Sequence, residues 1–200
     1  MIKSGKVVLI LSLCCLLLSA CGKSEIIRYY MLETKQEAIA SEAINQNIEM
    51  VIGLGPVNFP DYLKRSQIVM RDHPTEVIIL NNHKWAESLE ENFIRVLAQN
   101  LFALQPSARI ISYPSRQWSQ VKQQVIIDVN RFDSDTLGET VLETKLTLIR
   151  NDDPENAVTS LSSLVLDNGA SEDYASMVDV MSRLVQQLAM HINDLINDSQ

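Results

Sequence analysis

The chain has 200 residues, 46% of them hydrophobic and 21% charged, which suits one packed domain and is too apolar for a disordered polymer. Seventeen Lys and Arg against twenty-five Asp and Glu give a net charge of −8. That balance excludes a phosphate-gripping nucleic-acid binder and an electrostatic hold on anionic lipid.

All three cysteines, Cys14, Cys15 and Cys21, lie at the start of the chain. Lys3 and Lys6 precede Val7 to Leu18, an almost wholly apolar run. As a helix that run is roughly 18 Å long, too short for a hydrocarbon core of about 30 Å. A basic start before a short apolar stretch is the pattern of a secretory signal peptide, here residues 1–20. Its end, Leu18-Ser19-Ala20-Cys21, resembles the bacterial lipobox, in which small residues precede the cut and the cysteine thiol is acylated. Residues 21–25 are then a lipidated tether and residues 26–200 the folded, periplasmic body. One myristoyl-sized chain binds a bilayer at only roughly 10⁴ M⁻¹, so stable anchoring needs the several chains that such a cysteine carries. Loss of Lys3 and Lys6 takes the net charge from −8 to −10, and loss of Cys14 and Cys15 leaves no disulfide to help the core. Gly22, rather than an aspartate, follows the cysteine; the resemblance then implies export to the outer membrane. Cys21 to Glu25 reach at most about 17 Å, so the body must sit close to its bilayer.

In the body, Ile26 to Leu32 is a β-branched and aromatic strand run, and Thr34 to Ala43 is a short helix or a loop. Ile48 to Leu54 reads as a strand ended by Gly55-Pro56, and Pro60 to Arg65 as a helical turn with proline at its start. Gln67 to Arg71 and Glu76 to Leu80 form a hairpin about Asp72-His73-Pro74. Apolar residues at 85, 89, 93, 96, 97, 101 and 104 mark an amphipathic helix from Trp85 to Leu104, stopped by Pro106. Ala108 to Tyr113 is a strand, and three alternating runs, 121–132, 139–150 and 157–166, form an antiparallel meander with acidic links at 133–138 and 151–156. Ser171 caps a closing helix whose stripe is Met177, Met181, Leu184, Leu188, Ile192 and Leu195. The order gives a single α/β or α+β domain.

Catalytic patterns are missing. No H-E-x-x-H, C-x-x-C or G-x-S-x-G occurs, so zinc, redox and serine-nucleophile chemistry have no support. Gly53-Leu-Gly55 follows a strand, but Asn58 stands where a third glycine belongs and Pro56 blocks the helix start. No cofactor is expected. His73 and His83 are expected on the surface; Asp72 with His73, and Glu87 with Glu90 and Glu91, are expected as charged faces.

Two segments gather aromatic and cationic residues, the types that anchor interfaces. These are Pro56-Val-Asn-Phe-Pro60-Asp-Tyr62-Leu63-Lys-Arg65-Ser-Gln-Ile-Val69 and the stretch opening at Trp85. Pro60, Tyr62, Leu63, Arg65 and Trp85 are the candidate partner surface, weighed evenly against a place in the core. With the lipobox and the early Tyr29-Tyr30-Met31-Leu32 run, they resemble the PqiC-type family of auxiliary lipoproteins of ABC-type intermembrane transport. The family pattern P-V-x-L-P-x-Y-L-D-R-P-Q-I-V is kept at Pro56, Val57, Pro60, Tyr62, Leu63, Arg65, Gln67, Ile68 and Val69. W-A-E-P-L is kept at Trp85, Ala86, Glu87 and Leu89; Phe59, Lys64, Ser66 and Ser88 depart. The resemblance implies a three-layer α/β/α domain with a mixed sheet. It implies a non-catalytic, outer-membrane lipoprotein that docks on a periplasm-spanning, PqiB-like MCE-domain protein in lipid transport. A homo-oligomeric ring would suit such a partner. The other possibilities are a periplasmic shuttle holding an acyl chain in its own core, and a hydrolase, which lacks a nucleophile constellation.

Overall fold

The computed structural model describes residues 26–35, 50–167, 169 and 173–199. The signal peptide, lipobox, Cys21 and tether lie outside the described residues, as do most of the expected 34–43 segment and the Ser171 cap.

One mixed sheet organises the body, as the α/β reading expected. Its strands are β1 (Arg28–Tyr30), β2 (Met50–Asn58), β3 (Gln67–His73), β4 (Glu76–Trp85), β5 (Ala108–Ser112), β6 (Gln123–Asp135), β7 (Glu139–Arg150) and β8 (Asp153–Asp167). The three longest, β6 to β8, form the meander that their alternation predicts, β6 and β8 both antiparallel to β7. β6 carries two neighbours on its other edge. Its first half pairs with β2, which continues to β5, and its last residues pair Ser134 and Asp135 with Met70 and Arg71 of β3. β3 continues antiparallel to β4, and β4 continues parallel to β1. β1 and β8 therefore close opposite ends of the sheet.

Helices α1 (Leu89–Leu104) and α2 (Tyr174–Asp198) pack together on one face. Their apolar stripes are those of the sequence: Phe93, Val96, Leu97 and Leu101 on α1, and Met177, Met181, Leu184, Leu188 and Ile192 on α2, all buried. Phe93 bridges the layers, its ring centroid 5.2 Å from Phe59 and 5.6 Å from Phe132, both edge-on. Such edge-to-face pairs add roughly 0.5–1.5 kcal/mol beyond the burial itself. Among the described residues the two helices form one layer against the sheet.

Several local boundaries differ from expectation where hydrogen bonding overrides a sequence signal, β8 among them, which starts at Asp153 inside the expected 151–156 link. β2 runs on through Gly55-Pro56, shifting register between Leu54 and Val57 with Gly55 at φ 110°, a conformation glycine adopts without steric cost. Trp85 ends β4 instead of opening α1: its N–H donates to Ser66 O at 2.7 Å, and Ala86 N–H donates to Tyr30 O at 2.9 Å. β6 continues past Phe132 to Asp135, into what composition marks as an acidic link. The cap of α2 is Asp173, whose carboxylate accepts from Ala175 N at 3.1 Å.

The chain after β1 is laced between the helices. Leu32 is buried, and Asn92 of α1 both accepts from its N–H and donates to its carbonyl, at 2.6 and 3.2 Å. Glu33 N–H donates to Ser182 of α2, and Thr34 donates to Asn100 of α1 at 2.7 Å. The strand nearest the expected anchor is thus tied to the core through polar side chains that are themselves buried.

Candidate functional site

The Pro60–Arg65 segment folds as a short 3-10 turn, Asp61–Leu63, closed by Leu63 N–H to Pro60 O at 3.0 Å. Proline suits the position before the turn, since no amide hydrogen is needed there. A turn of this pitch sends successive side chains to different sides. Leu63 goes into the core at 4% exposure, while Tyr62 stays part-exposed and packs against the edge of that core.

There Tyr62 meets the most buried charge among the described residues. Its hydroxyl donates to Asp133 Oδ2 at 2.9 Å. Arg71 reaches the same carboxylate through Nη2 at 3.0 Å and Nε at 3.3 Å, and Arg131 through Nε at 2.8 Å. The Arg71 guanidinium also lies 5.8 Å from the centre of the Tyr62 ring and donates to Pro74 O. Asp133 has no solvent exposure, and the two arginines are about one-fifth exposed. Removing a carboxylate from water costs several kcal/mol unless charges and hydrogen bonds replace its hydration; here two guanidiniums and a phenol do so. Burial, then the negative charge of Asp133 and the bond to it, push the Tyr62 hydroxyl up to about 12. The phenol therefore remains a proton donor at neutral pH and cannot serve as a base. Arg65 completes the corner by donating through Nε to Tyr62 O at 3.0 Å.

Chemically this is a brace. Every strong group in it is engaged with another, so it fixes the shape of the 60–65 turn against β3 and β6 and leaves no activated nucleophile. Of the five residues singled out by sequence, the structure brings Pro60, Tyr62 and Arg65 to the surface side of one corner. It places Leu63 and Trp85, at 4% and 5% exposure, in the core beneath them. Trp85 still belongs to the corner, because its backbone joins the turn at Ser66 to the strand at Tyr30. Sequence reasoning missed Arg71, Arg131 and above all Asp133. The alternation that could have found them breaks at the register shift between Val129 and Arg131, and the acidic composition of 133–138 hides the rest of the strand.

The other candidates separate. His73 is exposed at the end of β3 and Asp72 accepts from Thr136. His83 departs from its expected surface place: it is half-buried in β4, its Nδ1 2.7 Å from the Tyr30 hydroxyl and its ring 4.0 Å from that of Tyr174. His191 sits on α2 against Ser160. Glu87 pairs with Arg95. Among the described residues no group of His, Cys, Asp and Glu could hold a metal, and no helix is long and apolar enough to cross a membrane. The space beside Gly53 is filled: a Cβ there would stand 2.7 Å from Val121 Cγ1 and 2.8 Å from Trp118 Cη2. The glycine serves side-chain packing on the open sheet face.

The family model for the ABC-type transport auxiliary lipoprotein component matches residues 30–193, which takes in both motif segments, α1 and most of α2. The chain is 26% identical over 145 residues to the intermembrane transport lipoprotein PqiC of Escherichia coli K12, covering 70% of this chain and 76% of that protein. The Shigella flexneri protein of the same name matches equally. Among solved structures, an uncharacterised protein superposes with a TM-score of 0.70 at 22% identity, covering 86% of this chain and 99% of the other. A Xanthomonas campestris protein superposes with a TM-score of 0.65 at 13% identity, covering 86% and 100%. These two likenesses establish the fold.

Proposed function

The chain belongs to the ABC-type transport auxiliary lipoprotein family, and from that premise we propose that it is an outer-membrane lipoprotein, acylated at Cys21, that docks on a periplasm-spanning MCE-domain protein in intermembrane lipid transport. The family match across residues 30–193 carries the reading. The name of the relatives, intermembrane transport lipoprotein, supports the transport role, and the Leu18-Ser19-Ala20-Cys21 sequence with Gly22 supports the anchor and its membrane.

The docking role is non-catalytic and belongs to the braced corner. A turn locked by a buried carboxylate presents Pro60, Tyr62 and Arg65 with little freedom left to lose on binding, which is how a preformed surface gains affinity. Trp85 and Leu63 support it from within. Because Trp85 also carries the backbone contact to β1, the docking corner is held at the tethered end of the sheet. A ring of several copies around the partner fits this arrangement.

The anchor is tested by membrane fractionation of the full chain and of Cys21→Ala. The acylated protein is expected with the outer membrane, and the variant soluble in the periplasm and inactive in transport. A Cys21→Ala protein that restores transport while free in the periplasm overturns the reading.

A further inference from the structure

We propose that the strand edge carrying Ile26, Ile27 and Tyr29 lies in the interfacial layer of the bilayer that holds the Cys21 acyl chains. The inference rests on the lipoprotein reading and deepens it: the body touches the membrane through side chains and does not merely hang from it.

The observations are local and concordant. Ile26 is 82% exposed, Ile27 42%, Tyr29 63% and Met31 50%. Exposed apolar residues scattered singly need no explanation, but a contiguous set marks a contact surface. Arg28 is the single charge between Ile26 and Leu32, and its long stem allows the guanidinium to reach a headgroup while the apolar neighbours lie deeper. Tyr29 is the central residue of β1, and Ile26 and Ile27 lead directly into that strand. An open groove beside them combines Ile26, Tyr29, Tyr30, His83 and Tyr174 with the polar Arg28, Asn82 and Asp173. Three tyrosines at one end of the molecule match the amphipathic ring that partitions to membrane interfaces, apolar body inward and hydroxyl to water.

The occupant follows from the tether and the charge. Cys21 to Glu25 separate the acyl chains from Ile26, a reach of at most about 17 Å when fully extended. The headgroup layer is itself roughly 5–8 Å thick. This patch is thus the part of the described body closest along the chain to the anchor. A mature net charge of −10 prevents an electrostatic hold on anionic lipid, so contact must be apolar and aromatic. The other end of the sheet, β8, has no such tether.

The mature chain has no cysteine besides the acylated Cys21, so Ile26→Cys and Tyr29→Cys can each carry a single environment-sensitive fluorophore, with Ser163→Cys on β8 as the comparison. The full acylated proteins are reconstituted in vesicles of phosphatidylethanolamine and phosphatidylglycerol containing a shallow doxyl-labelled lipid. Quenching at 26 and 29 is expected to exceed that at 163 by at least about threefold, as for side chains seated at the acyl boundary. In parallel, a diazirine-bearing phospholipid with the unaltered chain is expected to mark residues 26–31. Flotation with water-like labels at 26 and 29 overturns the contact and leaves the anchor standing. Labels shielded from water but not quenched by lipid show a protein partner or second copy on the patch and also overturn it. A protein that fails to float overturns the anchor, and the contact with it.

Discussion

Asp133 sets the chemistry of its corner because it accepts four hydrogen bonds and has no solvent exposure. Asp133→Ala leaves two guanidiniums close together without their carboxylate; both can turn partly to solvent, so the expected loss is about 3 kcal/mol, the lower end for a broken buried pair. Urea denaturation reads it directly. Tyr62 supplies a pH signature. Its folded value of about 12 lies above the ordinary 10.0, so the protonated phenol stabilises the fold fully below pH 10. That contribution is lost as pH rises from 10 towards 12, where the unfolded chain releases the proton more readily. Tyr62→Phe is expected to flatten the decline in urea stability over this range, and an unchanged slope would contradict the hydrogen bond to Asp133. The sequence carries the residues of this network but not their meeting. Tyr62 and Arg65 stand in a recognisable motif, whereas Asp133 lies 71 positions from its phenol partner and gains its environment from a strand pairing that composition disguises.

At the scale of elements, hydrophobic period decides most of the outcome. The stripes of α1 and α2 and the alternation of β6 and β7 bury the side chains that their spacing selects, because only one face of each can leave water, whereas β8 keeps Val158, Leu161 and Val165 exposed. Boundaries were less legible. Trp85 has helical spacing to Leu89 but is claimed by two strand-type backbone bonds, and Gly55-Pro56 reads as a terminator yet is accommodated within β2 by a register shift. Gly53 illustrates a residue whose role becomes visible only in three dimensions. The Trp118 ring, edge-on to Tyr113 at 5.2 Å, occupies the space a side chain would take. Gly53→Ala is expected to cost about 1–3 kcal/mol through overpacking, with altered tryptophan fluorescence from displaced Trp118. A stable Gly53→Ala protein with unchanged emission would contradict that packing.

The whole molecule is polarised along its sheet. β1, at one end, is bound to both helices through Leu32, Glu33 and Thr34, which follow it, and to the 60–66 turn through Trp85. β8, at the far end, pairs only with β7. The apolar strand edge and the braced corner are therefore continuous through one set of backbone contacts. The strand run at Ile26 to Leu32 and the motif of the corner were each readable in the sequence. The continuity between them was not, because it depends on a parallel pairing between β1 and β4, whose members lie more than fifty residues apart.

The most direct measurement is affinity capture of the full acylated protein from native membranes in mild detergent, with the bound proteins identified. An MCE-domain protein is expected to co-purify with the unaltered chain. Its recovery should fall at least about tenfold with Arg65→Glu, equivalent to about 1.4 kcal/mol of lost docking energy, while the variant's urea stability stays close to that of the unaltered chain. Capture that yields no MCE-domain protein from membranes containing one, or recovery unchanged by Arg65→Glu, would contradict docking through the braced corner.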